Sequence, residues 1–294
     1  MRIPSRASIV IPACNEAGRI RGLLETLSDP MLEGRIDTYV VCNGCTDDTR
    51  QVAEEYEVTV VEIADAGKHY ALNEGDRLAG DVFPRLYCDA DLQVTPMTIL
   101  TLVESLATNE VRAAGPEIRY GVEKSSRPVK MFYRAEECLI LKRWQDEHLT
   151  GRGLYGASGR ARRRFTTFPG LIADDLFFDS QFTSAEKVVP PGTESVLCVP
   201  TTLRQLMHDR VRVAQGNHEH RVRMMGDKGT PDAGVQPRTW FELKIRSRVR
   251  RVRSWLRDLR RRDVVPMLFY LSVITGARAV LVVKKRGGHQ VNWR

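Results

Sequence analysis

Two aspartates one residue apart, Asp89 and Asp91 around Ala90, follow the apolar run Val82-Phe83-Pro84-Arg85-Leu86-Tyr87-Cys88. At the end of a strand such a pair can hold one hard divalent cation, Mn2+ or Mg2+, and leave coordination positions open for substrate phosphates. The pattern is short and arises by chance, so its weight depends on its company. A second acidic pair, Asp174-Asp175, reads in two ways. It can cap a helix over Leu176-Phe177-Phe178, or it can present a carboxylate that takes up a proton, with its neighbour's charge raising the pKa of one member.

The elements that would position these groups alternate regularly. Ala7 to Pro12 reads as a buried strand, and Ala17 to Leu27 as a helix with Ile20, Leu23, Leu24 and Leu27 on one face. Thr38 to Cys42 is a second strand, and Thr46-Asp47-Asp48-Thr49 offers N-cap oxygens for a helix through Tyr56. Val58 to Ile63 is a third strand, Lys68 to Ala79 a helix, the run before Asp89 a fourth strand, and Pro96 to Leu106 another helix. This rhythm predicts an α/β fold with a mostly parallel sheet flanked by helices. Ligands bind at the carboxyl ends of such strands, where Asn15-Glu16, Asn43-Gly44, Gly67-Lys68 and Asp89-Ala90-Asp91 all fall. From about Val111 the pattern changes, with a helix expected from Pro128 to Asp146, a Gly-rich stretch from Gly151 to Gly159, and a helix from Thr202 to Met225.

The 294 residues, 42% hydrophobic and 28% charged, suffice for one large domain or two joined ones. Met1 to Arg6 runs straight into the first strand, without the look of a secretory signal. Of the cysteines, Cys42 and Cys45 form a C-x-x-C, but no second pair at zinc spacing follows, so reduced thiols are expected. The net charge of +8 is local: Lys244 to Arg262 holds ten basic residues against Asp258, so the other 275 residues sum to −1.

Taken in order, these motifs resemble the inverting GT-A glycosyltransferases of the family 2 type, over about residues 7 to 225. Ile11-Pro12-Ala13-Cys14-Asn15-Glu16 is similar to that family's P-x-x-N-E opening, and Cys42-Asn43-Gly44-Cys45-Thr46-Asp47 to its D-[DN]-G-S-T-D element. Gly67-Lys68-His69-Tyr70-Ala71-Leu72-Asn73 is similar to its G-K-x-x-A-L-N element. Asp89-Ala90-Asp91 matches its metal motif, and Ala173-Asp174-Asp175 its catalytic-base segment. Gln215-Gly216-Asn217 is similar to a late [RQ]-G-N turn.

The resemblance implies a metal-dependent hexosyltransferase of the EC 2.4 type that uses Mn2+ or Mg2+ and a nucleoside-diphosphate sugar. It implies Asp91 on the metal, Asp89 on the metal or ribose beside Ala90, and Lys68 near the base or phosphates. Pro12, Asn15, Glu16 and Asn43 would frame the nucleoside, Asp174 would contact substrate, and Asp175 would be the general base. Cys42 stands where the family usually has an aspartate that reads the uracil N3–H, a bond a thiol replaces poorly. Either the donor is other than a UDP-sugar, or uracil is read by Asn43 or by backbone; a UDP-sugar remains favoured. His208, His218 and His220 are candidates for a third metal ligand, each also readable as an ordinary helix or surface histidine. Arg160 and Arg162 to Arg164 read as contacts to an anionic acceptor or as a solvated face. Arg210 to Gln215 lacks the Trp of the processive members' Q-x-x-R-W signature, which implies single transfer.

Ile245, Val249, Val252, Leu256 and Leu259 repeat at 4-3-4-3 spacing among arginines, an amphipathic basic helix suited to an anionic membrane surface. Val264 to Val283 is long enough to span a membrane, but Pro266, Ser272, Thr275, Gly276 and Arg278 argue against a span and favour first a surface-lying or re-entrant helix and second a helix packed on the catalytic domain. The expected partners are the sugar donor, a glycan or lipid-linked acceptor, and an anionic membrane surface through Lys244 to Val283; nucleic acid is not expected. The expected location is cytoplasmic, peripheral at the inner face of the cell membrane. The expected division is a nucleotide-sugar-binding half over 1–115, an acceptor and catalytic-base half over 116–225, and a linker with two helices over 226–294. The rivals are a nucleotidyltransferase, which would carry a Gly-rich loop where Pro12-Ala13-Cys14-Asn15-Glu16 stands, and a catalytically silent membrane or polyanion binder.

Overall fold

The computed structural model describes residues 6–29, 31–137, 148–226 and 264–286. They fall into two compact units, one of the described residues within 6–124 and 148–199, the other of those within 125–137, 200–226 and 264–286.

The first unit is built on β1 (Ala7–Ala13), every residue of which is buried. Its side chains alternate between two cores. Ile9 and Ile11 face a cluster with Leu23, Leu24, Ile99 and Leu102, while Val10 faces one with Leu72, Tyr87, Tyr155, Phe168 and Phe178. β2 (Ile36–Asn43), β3 (Thr59–Ile63) and β4 (Arg85–Cys88) complete a parallel block in the order β3-β2-β1-β4. The helices α1 (Ile20–Leu27), α2 (Thr49–Glu54), α3 (Lys68–Ala79) and α4 (Pro96–Leu106) connect or follow these strands. A Cβ on Gly75 of α3 would lie 2.2 Å from Val10 Cγ1, so the absent side chain is what lets α3 rest on β1.

Beyond β4 the sheet changes direction. The order continues β4-β8-β6-β9 through β6 (Ala113–Ala114), β8 (Leu154–Ala157) and β9 (Lys187–Val188). β8 runs antiparallel to both β4 and β6, while β6 and β9 are parallel. The sheet is therefore mostly parallel on one side and mixed on the other, a GT-A fold. A second, three-stranded sheet joins β5 (Gln93–Val94), β10 (Glu194–Cys198) and β7 (Glu117–Gly121) in the order β5-β10-β7. Two short helices, α6 (Gly159–Arg162) and α7 (Asp174–Ser180), complete the unit.

The second unit contains α5 (Arg127–Glu136), α8 (Leu203–Gly226) and α9 (Val264–Arg286). Tyr270 of α9 stacks on Phe132 of α5 at 4.8 Å, and Val211 of α8 clusters with Ala277 of α9. Arg210 is paired with Glu136 (3.5 Å) and Asp209 (2.5 Å).

Several expectations change. Gln215-Gly216-Asn217 is not a turn but lies inside α8, where Gln215 Nε2 donates to Glu219 Oε1 one helical turn away at 2.8 Å. The Gly-rich stretch from Gly151 contains the buried strand β8. The first helix begins at Ile20 rather than Ala17: residues 17–19 form a turn in which Arg19 N and Ile20 N both donate to Glu16 O. The helix expected to Asp146 is described only over Arg127–Glu136, and its later residues lie outside the described ones, as does the whole basic helix from Lys244 to Arg262.

Candidate active site

The parallel register of β2, β1 and β4 brings the loops after their carboxyl ends to one edge. The first loop is laced to the second. Asn15 adopts a left-handed backbone (φ 58°), and its Oδ1 accepts from Thr46 N at 2.8 Å. Glu16 N donates to Thr49 Oγ1 at 2.8 Å, and Asp47 Oδ2 accepts from Ala17 N at 3.2 Å. Asp47 also accepts from Thr49 N at 3.1 Å, whereas Asp48, at the N-cap of α2, makes no capping bond.

Asn43 is wholly buried; its amide, oriented to satisfy both neighbours, donates to Ala13 O (2.8 Å) and accepts from Gly67 N (3.1 Å). It joins the loops rather than facing an open cleft. Pro12 is buried within β1 opposite Val41, and Ala90 packs into the core. Cys42 is also buried, and burial together with Cys45 pushes its thiol up to about 12, which makes it an inert core residue at neutral pH.

Asp89 is held twice. Its N–H donates to Gly153 O at 2.7 Å, and its Oδ1 accepts from Lys68 Nζ at 2.7 Å. Lys68, the first residue of α3, also pairs with Asp174 Oδ2 at 3.0 Å. Burial alone would lower the Lys68 pKa, but Asp174 and Asp89 outweigh it and hold the ammonium well above its ordinary value. Lys68 is thus a half-buried cation that ties the D-x-D turn to the Asp174-Asp175 turn. Asp175 accepts from Gly151 N (2.6 Å) and Leu176 N (2.7 Å), and burial, reinforced by Asp174, pushes its carboxyl up to about 6. The 151–153 loop therefore bonds both acidic turns, and Arg152 braces it by donating to Pro116 O and to His148 O.

Asp91 lies beside Glu16 and Arg19. Arg19 Nη1 stands 3.7 Å from Asp91 Oδ2 and 3.5 Å from Glu16 Oε2. Burial and the Asp89 charge raise the Asp91 pKa; burial and Asp91 push Glu16 up to about 7. Glu16 Oε2 is buried with no hydrogen-bond donor. A crowd of hard oxygen donors with surplus negative charge fits a divalent cation such as Mn2+ or Mg2+. No three His, Cys, Asp or Glu side chains form a ready cage among the described residues, so two carboxylates would leave the remaining positions to phosphate and water. His208, His218 and His220 all lie on α8, in the second unit.

Sequence reading gave no role to four contributors. Tyr155 Oη donates to Asp174 Oδ2 at 2.7 Å, a role signalled only by a lone hydroxyl in an apolar strand. Asn73 pairs with both the N–H (2.7 Å) and the carbonyl (3.0 Å) of Phe168, and Arg19 and Arg152 act as described. The arginine run splits. Arg162 is buried, donating to Asp76 Oδ2 (2.5 Å) and Tyr87 Oη (2.8 Å), and Arg164 pairs with Glu186. Arg162 has no surface to offer an acceptor; Arg160, Arg163 and Arg164 are exposed, Arg164 while held by Glu186.

A mixed α/β sheet with an acidic D-x-D turn at its carboxyl edge, and a half-buried lysine that pairs with it and with a second acidic turn, define a GT-A glycosyltransferase. The chain belongs to glycosyl transferase family 2, whose family model matches residues 8–160. Among solved structures it is similar to the mannosyltransferase PcManGT from Pyrobaculum calidifontis, in complex with GDP-Man and Mn2+: 21% identity, TM-score 0.60, covering 100% of this chain and 83% of that one. It is also similar to glucosyl-3-phosphoglycerate synthase from Mycobacterium tuberculosis, in complex with Mn2+, UDP and glucosyl-3-phosphoglycerate: 21% identity, TM-score 0.53, covering 79% and 83%. Another structure of that synthase is 24% identical with TM-score 0.52, covering 79% and 84%. At these identities the likeness shows the fold. No curated protein sequence matches the chain.

Proposed function

We propose that the protein is a metal-dependent, inverting glycosyltransferase that moves a sugar from a nucleoside-diphosphate donor to a hydroxyl of a lipid-linked or cell-envelope glycan acceptor. The observation that carries this reading is the single ion-pair bridge of Lys68 between Asp89 and Asp174, which draws the D-x-D turn and the Asp175 turn to one place. Asp91 and Asp89 would hold Mn2+ or Mg2+, with Glu16 beside them. That cation supplies Lewis-acid neutralisation of charge on the departing diphosphate. Asn15, Glu16, Pro12, Asn43 and Ala90 shape the donor side, largely through backbone.

Asp175 takes the proton from the acceptor hydroxyl as it attacks the anomeric carbon, and a carboxyl near 6 is ionised yet more basic than an ordinary aspartate at neutral pH. One displacement without a covalent intermediate inverts the anomeric centre. Residues 1–115 would serve the donor, 116–225 the acceptor and base, and 226–294 the tether.

The acceptor reading draws on α9, whose stretch Val264–Val283 is long and apolar enough to cross a membrane. Val273, Ala277 and Leu281 are buried, while Val265, Leu268, Val282 and Val283 are exposed. A helix already packed along one face against α5 and α8, where Arg210 pairs with Glu136 and Asp209, suits the membrane surface better than its interior.

The test is donor turnover with UDP-, GDP- and dTDP-sugars, with and without Mn2+ or Mg2+. Metal-dependent release of one nucleotide, lost in Asp91→Ala, is expected, as is a product anomer opposite to that of the donor. Turnover that survives both chelation and Asp91→Ala removes the metal reading; a retained anomer removes inversion.

A further inference from the structure

Asp174 and Asp175 are adjacent in the first turn of α7 but have different surroundings. Asp175 accepts from two main-chain N–H groups, those of Gly151 and Leu176. Asp174 is buried, and its partners converge on one oxygen, Oδ2, from Tyr155 at 2.7 Å and Lys68 at 3.0 Å. Tyr155 is fixed by its strand: β8 sets it opposite Tyr87 of β4, and its ring packs on Tyr87 (5.3 Å) and Phe178 (4.6 Å). α7 has seven residues, and Ala173 at its N-cap supplies no side-chain cap. So short a helix does not hold its own first turn, and its orientation must come from tertiary anchors.

We propose that Tyr155 is a positioning residue for glycosyl transfer: its hydroxyl clamps Asp174, and through it the first turn of α7, so that Asp175 is aimed at the reacting centre. This rests on Asp175 being the base. The clamp also fixes the charge of Asp174 beside Asp175, one of the causes that keep the Asp175 carboxyl near 6. Without the hydroxyl, Asp174 keeps Lys68 and Asp175 keeps its bond from Gly151 N, so the turn stays attached but loses one anchor at its first residue; a misplacement of about 1 Å can cost up to about 100-fold in rate.

The test uses the full chain with Tyr155→Phe, Asp174→Asn and Asp175→Asn. It reads hydrolysis of GDP-mannose and UDP-glucose with Mn2+, and the carboxyl 13C shift of Asp175 against pH. Tyr155→Phe keeps the packed ring, so the fold should persist; kcat should fall about tenfold or more while donor KM stays within about twofold. In Asp174→Asn the Asp175 midpoint should move down by about one pH unit, which a merely structural role would not produce. Unchanged kcat in Tyr155→Phe, a matching rise in KM, or an unmoved Asp175 midpoint overturns the clamp. If Asp175→Asn retains turnover, the base assignment itself fails and takes the clamp with it. An inactive Asp175→Asn beside a fully active Tyr155→Phe sinks the clamp alone.

Discussion

Asp175 binds its proton more tightly than a carboxylate in water because burial removes solvent and Asp174 adds a like charge, against which Gly151 N–H works only partly. The sign of two consequences follows. As a base it must be ionised, so turnover should rise with pH through about 6 and level off above it. For stability, the folded pKa lies above the unfolded value of 3.8, so the folded state loses stability relative to the unfolded one as pH rises from about 4 through 6. Asp175→Asn should therefore abolish transfer and yet raise stability by on the order of 1 kcal/mol at pH 8, with no gain near pH 3. Urea unfolding of both proteins at the two pH values measures this. A gain that is equal at both would mean that burial, not ionisation, sets the cost.

At the scale of elements, Gly75 shows how a residue with no chemistry positions the site. α3 carries Lys68 at its first position and rests on β1 through the space above Gly75. Gly75→Ala puts a methyl within 2.2 Å of Val10 Cγ1, so α3 must move off the sheet. Overpacking of this kind costs about 1–3 kcal/mol, which thermal unfolding would register, and the shift should loosen Lys68 from Asp89 and Asp174 and lower turnover as well. α3 and α4 were legible at their bounds in the sequence because their signals are local: Gly67 precedes the one, while Thr95 caps the other, accepting from Thr98 N, with Pro96 at its first turn. β8 was not, because Leu154-Tyr155-Gly156-Ala157 lacks a branched, alternating pattern and becomes a strand through its neighbours. A Cβ on Gly156 would lie 2.4 Å from Leu86 Cδ2, so its glycine is a requirement of packing that looks like loop composition. For the same reason the acidic residues of the site could be given roles from sequence, but Tyr155, Asn73 and Arg152 could not. Their partners are 19, 95 and 36 residues away and exist only once the sheet has formed.

At the scale of the whole molecule, the charge and the apolar surface of the C-terminal region belong together. Lys244 to Arg262 carries a net +9 immediately before α9, and α9 exposes Val265, Leu268, Val282 and Val283 while burying Val273, Ala277 and Leu281. Exposed valines and leucines on a helix whose other face is already packed gain nothing from water, but they can enter the headgroup and acyl boundary of a bilayer. Each nearby basic residue adds about 1 kcal/mol on an anionic surface. The protein should therefore sediment with vesicles containing phosphatidylserine and much less with phosphatidylcholine alone, and salt should release it only in part, because screening weakens the charges but not the apolar burial. Val265→Glu with Leu268→Glu alters exposed positions only, so the melting temperature should stay within a few degrees while vesicle binding falls about tenfold or more. Binding that is lost entirely in salt yet unaffected by the double substitution would assign the attachment to the basic stretch alone and leave the apolar face of α9 without a part in it.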